Sequence, residues 1–311
     1  MPGGLFVALA IGLTACATPQ TDRLLATASA FPQPVELTTV PFFPQDEYQC
    51  GPAALAMLLN WSGAAVEPAA LTPQVYLPER RGSLQLEILA AARRHGRIPY
   101  VLRPELESVF AELAAGHPVL VLQNLALDWQ PQWHYAVVIG FDLPRAEVVL
   151  RSGTEARLVM PLRVFERTWA RADHWAAVVL PPARLPATAE ELRYLQSVAG
   201  LEHLRRYEEA AAGYGATLTR WPKSLGALIG LGNCRHALGD LAGAENAFRQ
   251  ALHHHPDAAV ALNNLAQTLA DRGALADAAP LAARAVELDP DNALYRATLA
   301  EIRARTAPPA Q

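Results

Sequence analysis

The stretch that decides the reading of this chain is Gln45-Asp46-Glu47-Tyr48-Gln49-Cys50-Gly51-Pro52-Ala53-Ala54-Leu55-Ala56-Met57-Leu58-Leu59-Asn60-Trp61. Pro52 fits the first turn of a helix, where its missing N–H removes no bond. Leu55, Leu58 and Leu59, with Met57 beside them, follow at helical spacing and predict a buried stripe. Gly63 supplies a terminator just after Trp61. Cys50 therefore stands at a helix N-terminus, where the dipole and unpaired N–H groups favour thiolate over thiol. A cysteine beside an apolar helix is also commonly a small buried hydrophobe. Three features set Cys50 apart: Gly51, which permits close backbone approach, a Gln just over one turn upstream, and a histidine on a strand downstream. Nucleophilic Cys/His pairs are distant in sequence and adjacent in the fold.

That histidine is His134, at the start of Trp133-His134-Tyr135-Ala136-Val137-Val138-Ile139-Gly140-Phe141-Asp142. The run is strongly β-branched and reads as a strand, Asp142-Leu143-Pro144-Arg145 as a turn, and Glu147–Gly153 as the return strand. Folding the hairpin brings His134 opposite Arg151–Gly153. Asp142 shares a face with His134 but lies about 26 Å along the strand, too far to orient the imidazole. His117 opens the apolar run Pro118–Gln123, a strand buried on both faces, and reads as structural. His95 follows Arg93-Arg94 at a helix end, where cations meet the negative end of the dipole.

The remaining first half predicts a short edge strand within Val35–Phe43 and a loop-rich segment over 64–82, where Pro68, Pro73, Pro78 and Gly82 fall. Helices follow over Ser83–His95 and Glu105–Ala115. Strands are expected at Pro99–Leu102 and near His174–Leu180.

The 311 residues favour two domains, and a net charge of -4 gives no basic footprint for nucleic acid. Cys16, Cys50 and Cys234 form neither a disulfide framework nor a zinc spacing, so no metal or cofactor is expected. Leu5–Ala15 is apolar and too short to span a bilayer, yet suits a signal-peptide core. It ends in Leu13-Thr14-Ala15-Cys16, which resembles the lipobox of bacterial lipoproteins. That resemblance implies a signal peptide over 1–15, lipid on Cys16, and anchorage in the cell envelope. Ala17 after the cysteine points to the outer membrane, facing the periplasm. Residues 16–36 read as a flexible tether.

Pro181-Pro182 and Pro186 mark a linker. Beyond it Pro222, Pro256 and Pro290 recur every 34 residues, as do Ala210, Ala244 and Ala278, then Tyr214, Phe248 and Ala282. The period resembles the tetratricopeptide repeat, implying about three helix pairs and a cap helix over 183–306 that bind a protein partner or substrate. Residues 307–311 are expected to be a disordered tail. Cys234 reads as buried within this packing. His253-His254-His255 reads as cations at a helix end before Pro256, in preference to a metal site.

Over residues 37–182 the Gln45–Ala54 stretch, Gly116-His117-Pro118-Val119 and His134–Gly140 together resemble the papain-like bacteriocin-processing (double-glycine) cysteine peptidases. The resemblance implies an α+β papain-like domain ahead of the all-α repeat superhelix. It implies Cys50 as nucleophile, His134 as general base, and Gln45 with the Cys50 N–H at the oxyanion; Gln49 is the weaker candidate. The substrate would be a peptide or protein, hydrolysed through a thioester. The family places an aspartate on the return strand. Here Arg151, Ser152 or Gly153 occupies that region, Ser152 being the best match, so a Cys/His dyad or incomplete triad is expected. A papain-like acyltransferase or amidase, and a non-catalytic peptide-binding adaptor, are the alternative readings.

Overall fold

The computed structural model describes residues 17–26, 31, 33–45 and 49–306, and Cys16 lies outside them. The chain divides into two compact units, the first built mainly from residues up to 180 and the second mainly from 189 onward.

The first unit opens with α1 (Pro19–Ala26) and β1 (Val35–Glu36). Over Pro19–Ala26 a docked helix stands where a flexible tether was expected. Thr21 and Leu24 of α1 are fully buried. The unpaired N–H groups of Gln20 and Thr21 donate to the buried Glu166 carboxylate at 3.0 and 2.7 Å. Arg163 donates to Thr18 at 2.7 Å. A short helix with buried apolar contacts and a capping carboxylate is fastened in place, which composition alone does not reveal.

α2 (Cys50–Trp61) follows, then α3 (Pro68–Val75), β2 (Tyr76–Leu77), a 3-10 turn (Pro78–Arg80) and β3 (Gly82–Ser83). The predicted stripe on α2 is too narrow, since every residue from Gly51 to Leu59 is buried. A helix buried all round is a central one. It packs on Leu120, Leu122, Tyr135 and Val137 from the sheet, and on Leu71, Val75 and Ile88 from neighbouring helices. Each leucine contributes about 1.5–3 kcal/mol by its burial, which fixes where Cys50 sits. The 64–82 segment is not loop-rich. Pro68 opens α3 at a position where proline is harmless, and burial of Leu71 and Val75 holds the helix despite Pro73.

α4 (Gln85–Arg94), β4 (Ile98–Val101), α5 (Leu106–Ala114), β5 (Val119–Asn124), β6 (Trp133–Asp142), β7 (Glu147–Ser152), β8 (Glu155–Pro161), α6 (Leu162–Ala170) and β9 (Ala176–Leu180) complete the unit. α4 starts at Gln85 because Ser83 is taken by β3. The sheet order is β4-β9-β5-β6-β7-β8, with β1 paired to β6. β6 is the longest strand. β5 pairs antiparallel with it from Val119↔Val138 to Asn124↔Trp133, and β1 takes over at Glu36↔Gly140. The β6–β7 ladder shifts register between Val138 and Gly140, leaving Val137 paired with Arg151. β8 and α6 add to the predicted elements. α6 carries a readable signal in Leu162, Phe165 and Trp169, all fully buried on one face.

The second unit consists of α7 (Glu191–His203), α8 (Tyr207–Arg220), α9 (Leu225–Ala237), α10 (Leu241–His254), α11 (Ala259–Asp271), α12 (Leu275–Leu288) and α13 (Ala293–Thr306). The first helices of the pairs start at residues 191, 225 and 259, the second at 207, 241 and 275, and α13 caps at 293. The periodic alanines Ala210, Ala244 and Ala278 are fully buried, as are Phe248 and Ala282. Gly232 is needed for this packing, because a Cβ there would lie 2.4 Å from the Phe248 ring. Cys234 is fully buried, and desolvation followed by the Glu202 charge pushes its thiol up to about 12. His254 ends α10, and His255 Nε2 lies 2.7 Å from the Lys223 carbonyl. The architecture is an α+β unit with an antiparallel sheet, followed by a tetratricopeptide-type run of helix pairs.

Candidate active site

Gln45, Cys50, His134 and Tyr135 line one cavity of about 880 Å³ in the first unit, together with Gly153. Cys50 is the first residue of α2, half-buried and free. The expected helix-start thiolate is corrected in this state. Burial pushes the Cys50 thiol above its ordinary value, and backbone N–H groups of Tyr135, Gly51 and Cys50 pull it back without cancelling the loss of water. Burial also lowers His134 below the ordinary histidine value. Both shifts favour the uncharged forms, thiol and neutral imidazole.

His134 Nε2 lies 2.8 Å from Ser152 Oγ. With Val137 paired to Arg151, Ser152 sits diagonal to His134, within reach on the same face of the hairpin. Ser152 is thus the hydrogen-bond partner of the imidazole. Nδ1 has no hydrogen-bond partner among the described residues. A hydroxyl fixes the ring's orientation but supplies no charge to stabilise an imidazolium.

Gln45 reaches the cavity bound by three hydrogen bonds. Its N–H donates to the Gly153 carbonyl at 3.1 Å, and its Oε1 accepts from the Gly153 N–H at 3.2 Å. Its Nε2 donates to the Tyr135 carbonyl at 3.4 Å. An amide nitrogen has two hydrogens, so one N–H remains to be offered to a ligand. Gln49 instead accepts from the Thr72 hydroxyl at 3.4 Å.

Sequence reasoning missed Tyr135, whose backbone N–H serves the thiol and whose hydroxyl donates to the Ser83 carbonyl at 3.3 Å. It also missed Gly153 as the clamp on Gln45, and Arg80 and Arg81 in the cavity wall. Only pairing across distant segments brings these groups together, so no local spacing signals them. His117, read as structural, is 4% exposed with Nδ1 at 2.7 Å from the Glu112 carboxylate. Among the described residues no group of three or more His, Cys, Asp or Glu is placed to hold a metal. None of their helices is long and apolar enough to cross a membrane.

Residues 37–176 match the model of the Peptidase_C39 like family, and residues 201–252 and 237–293 match the tetratricopeptide repeat. The chain thus carries a C39-like peptidase domain followed by tetratricopeptide repeats. Solved structures similar to it include a putative C39-like peptidase from Bacillus anthracis, at 19% identity over 48% of this chain and 98% of that one, with a TM-score of 0.41. A double glycine motif protease from an AMS/PCAT transporter, solved with its leader peptide, matches at 22% identity over 47% and 96%, with a TM-score of 0.36. The first tetratricopeptide domain of Spaghetti (RPAP3), bound to an HSP90 peptide, matches at 19% over 38% and 94%, with a TM-score of 0.37. No curated protein matches the chain.

Proposed function

We propose that this chain is a cysteine peptidase that hydrolyses peptide bonds through a thioester at Cys50. The observation that carries the reading is His134, held through Nε2 by Ser152 and leaving Nδ1 without a partner, in the cavity that Cys50 lines. Because both groups rest neutral, His134 works as a general base at the moment of attack. Cys50 Sγ adds to the carbonyl carbon as its proton passes to His134. The oxyanion is met by the Cys50 N–H and the remaining Gln45 amide N–H. Collapse expels the amine, which takes the proton from His134. Water, deprotonated by His134, then cleaves the thioester and returns Cys50 as a thiol.

The test is cleavage of a mixed peptide library by the full chain, Cys50→Ala and His134→Ala. Cleavage that disappears in both variants supports the proposal. Cleavage absent from the wild type, with peptide binding that survives Cys50→Ala, establishes the adaptor instead. That second reading draws on the hydroxyl, rather than carboxylate, beside His134. Amide formation in place of hydrolysis, when amines are added, marks an acyltransferase.

The proposal extends to the ends of the chain. The repeats bind a protein partner or the substrate, and Cys16 carries lipid that holds the protein in the bacterial envelope, at the outer membrane facing the periplasm. Thr18, two residues on, is buried and bonded to Arg163, so the anchor would attach almost directly to the folded unit. Metabolic labelling with an alkyne fatty acid checks this, since Cys16→Ser must lose the label.

A further inference from the structure

We infer that the first unit rests on an anionic lipid bilayer through one built surface, the apolar hairpin tip at residues 125–133 and the outer face of α6. This inference deepens the anchor reading and rests on lipid at Cys16.

The tip between β5 and β6 is apolar and exposed. Leu125, Leu127, Trp129 and Trp133 all stand out of the core, Trp129 being 78% exposed. Hydrogen bonds hold the loop in the shape that keeps them out. The Leu125 N–H donates to the Gln132 carbonyl at 2.9 Å and the Gln130 N–H to the Leu127 carbonyl at 3.0 Å, so Asp128 and Trp129 form the turn. The buried Asn124 side chain accepts from the Ala126 and Gln132 N–H groups at 3.1 and 2.9 Å. From the end of α6, Arg171 donates to the Asn124 and Ala126 carbonyls at 3.4 and 2.9 Å. Neighbouring exposed apolar groups mark an interaction site, and a tip already ordered loses little entropy on contact.

α6 connects this tip to the anchored end of the chain. Arg163, Arg167 and Arg171 fall four residues apart and share one side of the helix, with exposed Val164 beside them. Arg163 donates to Thr18 at 2.7 Å and pairs with Asp22 of α1. Arg167 donates through Nε to the Arg163 carbonyl at 3.1 Å. Arg163 and Arg171 are about 12 Å apart along the axis. Thr18 and the base of the hairpin tip therefore lie at two ends of one helix face. Thr18 is buried, and Cys16 precedes it by two residues, which reach at most about 7 Å. A lipid on Cys16 brings the bilayer to that end of α6. The same face then offers cations to the headgroup phosphates and a tryptophan to the interface. Asp128, the one charged residue of the tip, keeps the insertion shallow.

The test uses the full lipidated chain with Cys50→Ala and Cys234→Ala in vesicles of phosphatidylglycerol and phosphatidylethanolamine. Gln130→Cys, exposed beside Trp129, carries a fluorescent dye. Nitroxide on the lipid acyl chains is expected to quench the dye about threefold, while aqueous iodide quenches it less than in the urea-unfolded chain. Nitroxide quenching should fall to about half in Arg167→Glu or in phosphatidylcholine vesicles, and should be nearly lost in Leu127→Ser/Trp129→Ser. A dye open to iodide and untouched by nitroxide overturns the inference. So does quenching that ignores the Leu127 and Trp129 changes, since the anchor alone would then account for it. A dye shielded from iodide yet untouched by nitroxide means that protein covers the tip, and this overturns the inference as well. Alkyne fatty-acid labelling separates the two readings. If Cys16 takes no label, the anchor reading fails and takes the inference with it; if Cys16 is labelled while the dye stays unquenched, the inference fails alone.

Discussion

Two histidines of the first unit are held by short hydrogen bonds and differ in everything else. His117 is buried and bonded to a carboxylate, Glu112, at 2.7 Å. His134 is bonded to a hydroxyl, Ser152, at 2.8 Å. His117 has a carboxylate for its partner, where His134 has an uncharged hydroxyl. Yet Glu112 is engaged elsewhere too, accepting from Ala187 N, Thr188 N and Thr188 Oγ1 at 3.1, 2.8 and 2.6 Å. That cluster ties the chain after Pro186 to α5. His134 has a cavity and a cysteine. A cavity shared with a cysteine, rather than the strength of the supporting bond, sets His134 apart from His117.

The comparison is broken most directly by exchanging the losses. His134→Ala is expected to lower kcat/KM by about 10²–10⁴ while leaving the denaturation midpoint nearly unchanged. Glu112→Ala is expected to do the reverse. It removes the acceptor shared by four donors at a fully buried carboxylate, costing about 3–5 kcal/mol in urea unfolding, with kcat per folded molecule retained. Comparable activity losses in both variants would erase the distinction.

Replacing the hydroxyl sharpens it. Ser152→Asp gives His134 the charge it lacks, so kcat/KM should rise about tenfold and the acid limb of its pH profile should move upward. An unchanged profile would mean that Ser152 does not address the imidazole. The smallest effect concerns the native pair. A lowered His134 stays neutral down to below about 6.5, so the acid limb of the native profile lies under that value. A raised Cys50 puts the midpoint of iodoacetamide alkylation above the ordinary thiol value of about 8.5. Alkylation that titrates well below it would reveal a thiolate–imidazolium pair and contradict the neutral resting state.

How much was legible follows from the range of the signals. The repeats were readable because each unit packs only on its neighbours, so a 34-residue period fixes Ala244, Phe248 and Ala278 inside. Cys50 at the start of α2 was readable because Pro52 and the leucines after it act locally. The docked helix at Pro19–Ala26 was missed because what holds it, Glu166, lies more than a hundred residues away. α3 was missed because proline frequency argues for loop, while burial of Leu71 and Val75 decides for helix.

Sequence by itself determined the two-part architecture, the helix that presents Cys50, the strand that carries His134 near its start and the period of the repeats. Each depends on neighbours within a turn, a hairpin or one repeat. Only the tertiary structure decided the protonation of the site, because the charge on Cys50 and His134 is set by how much water burial removes. It also decided that Gln45 is clamped by Gly153 and that residues 80–85 line the same cavity. Those outcomes depend on segments brought together from across the chain, and no spacing in the sequence records them.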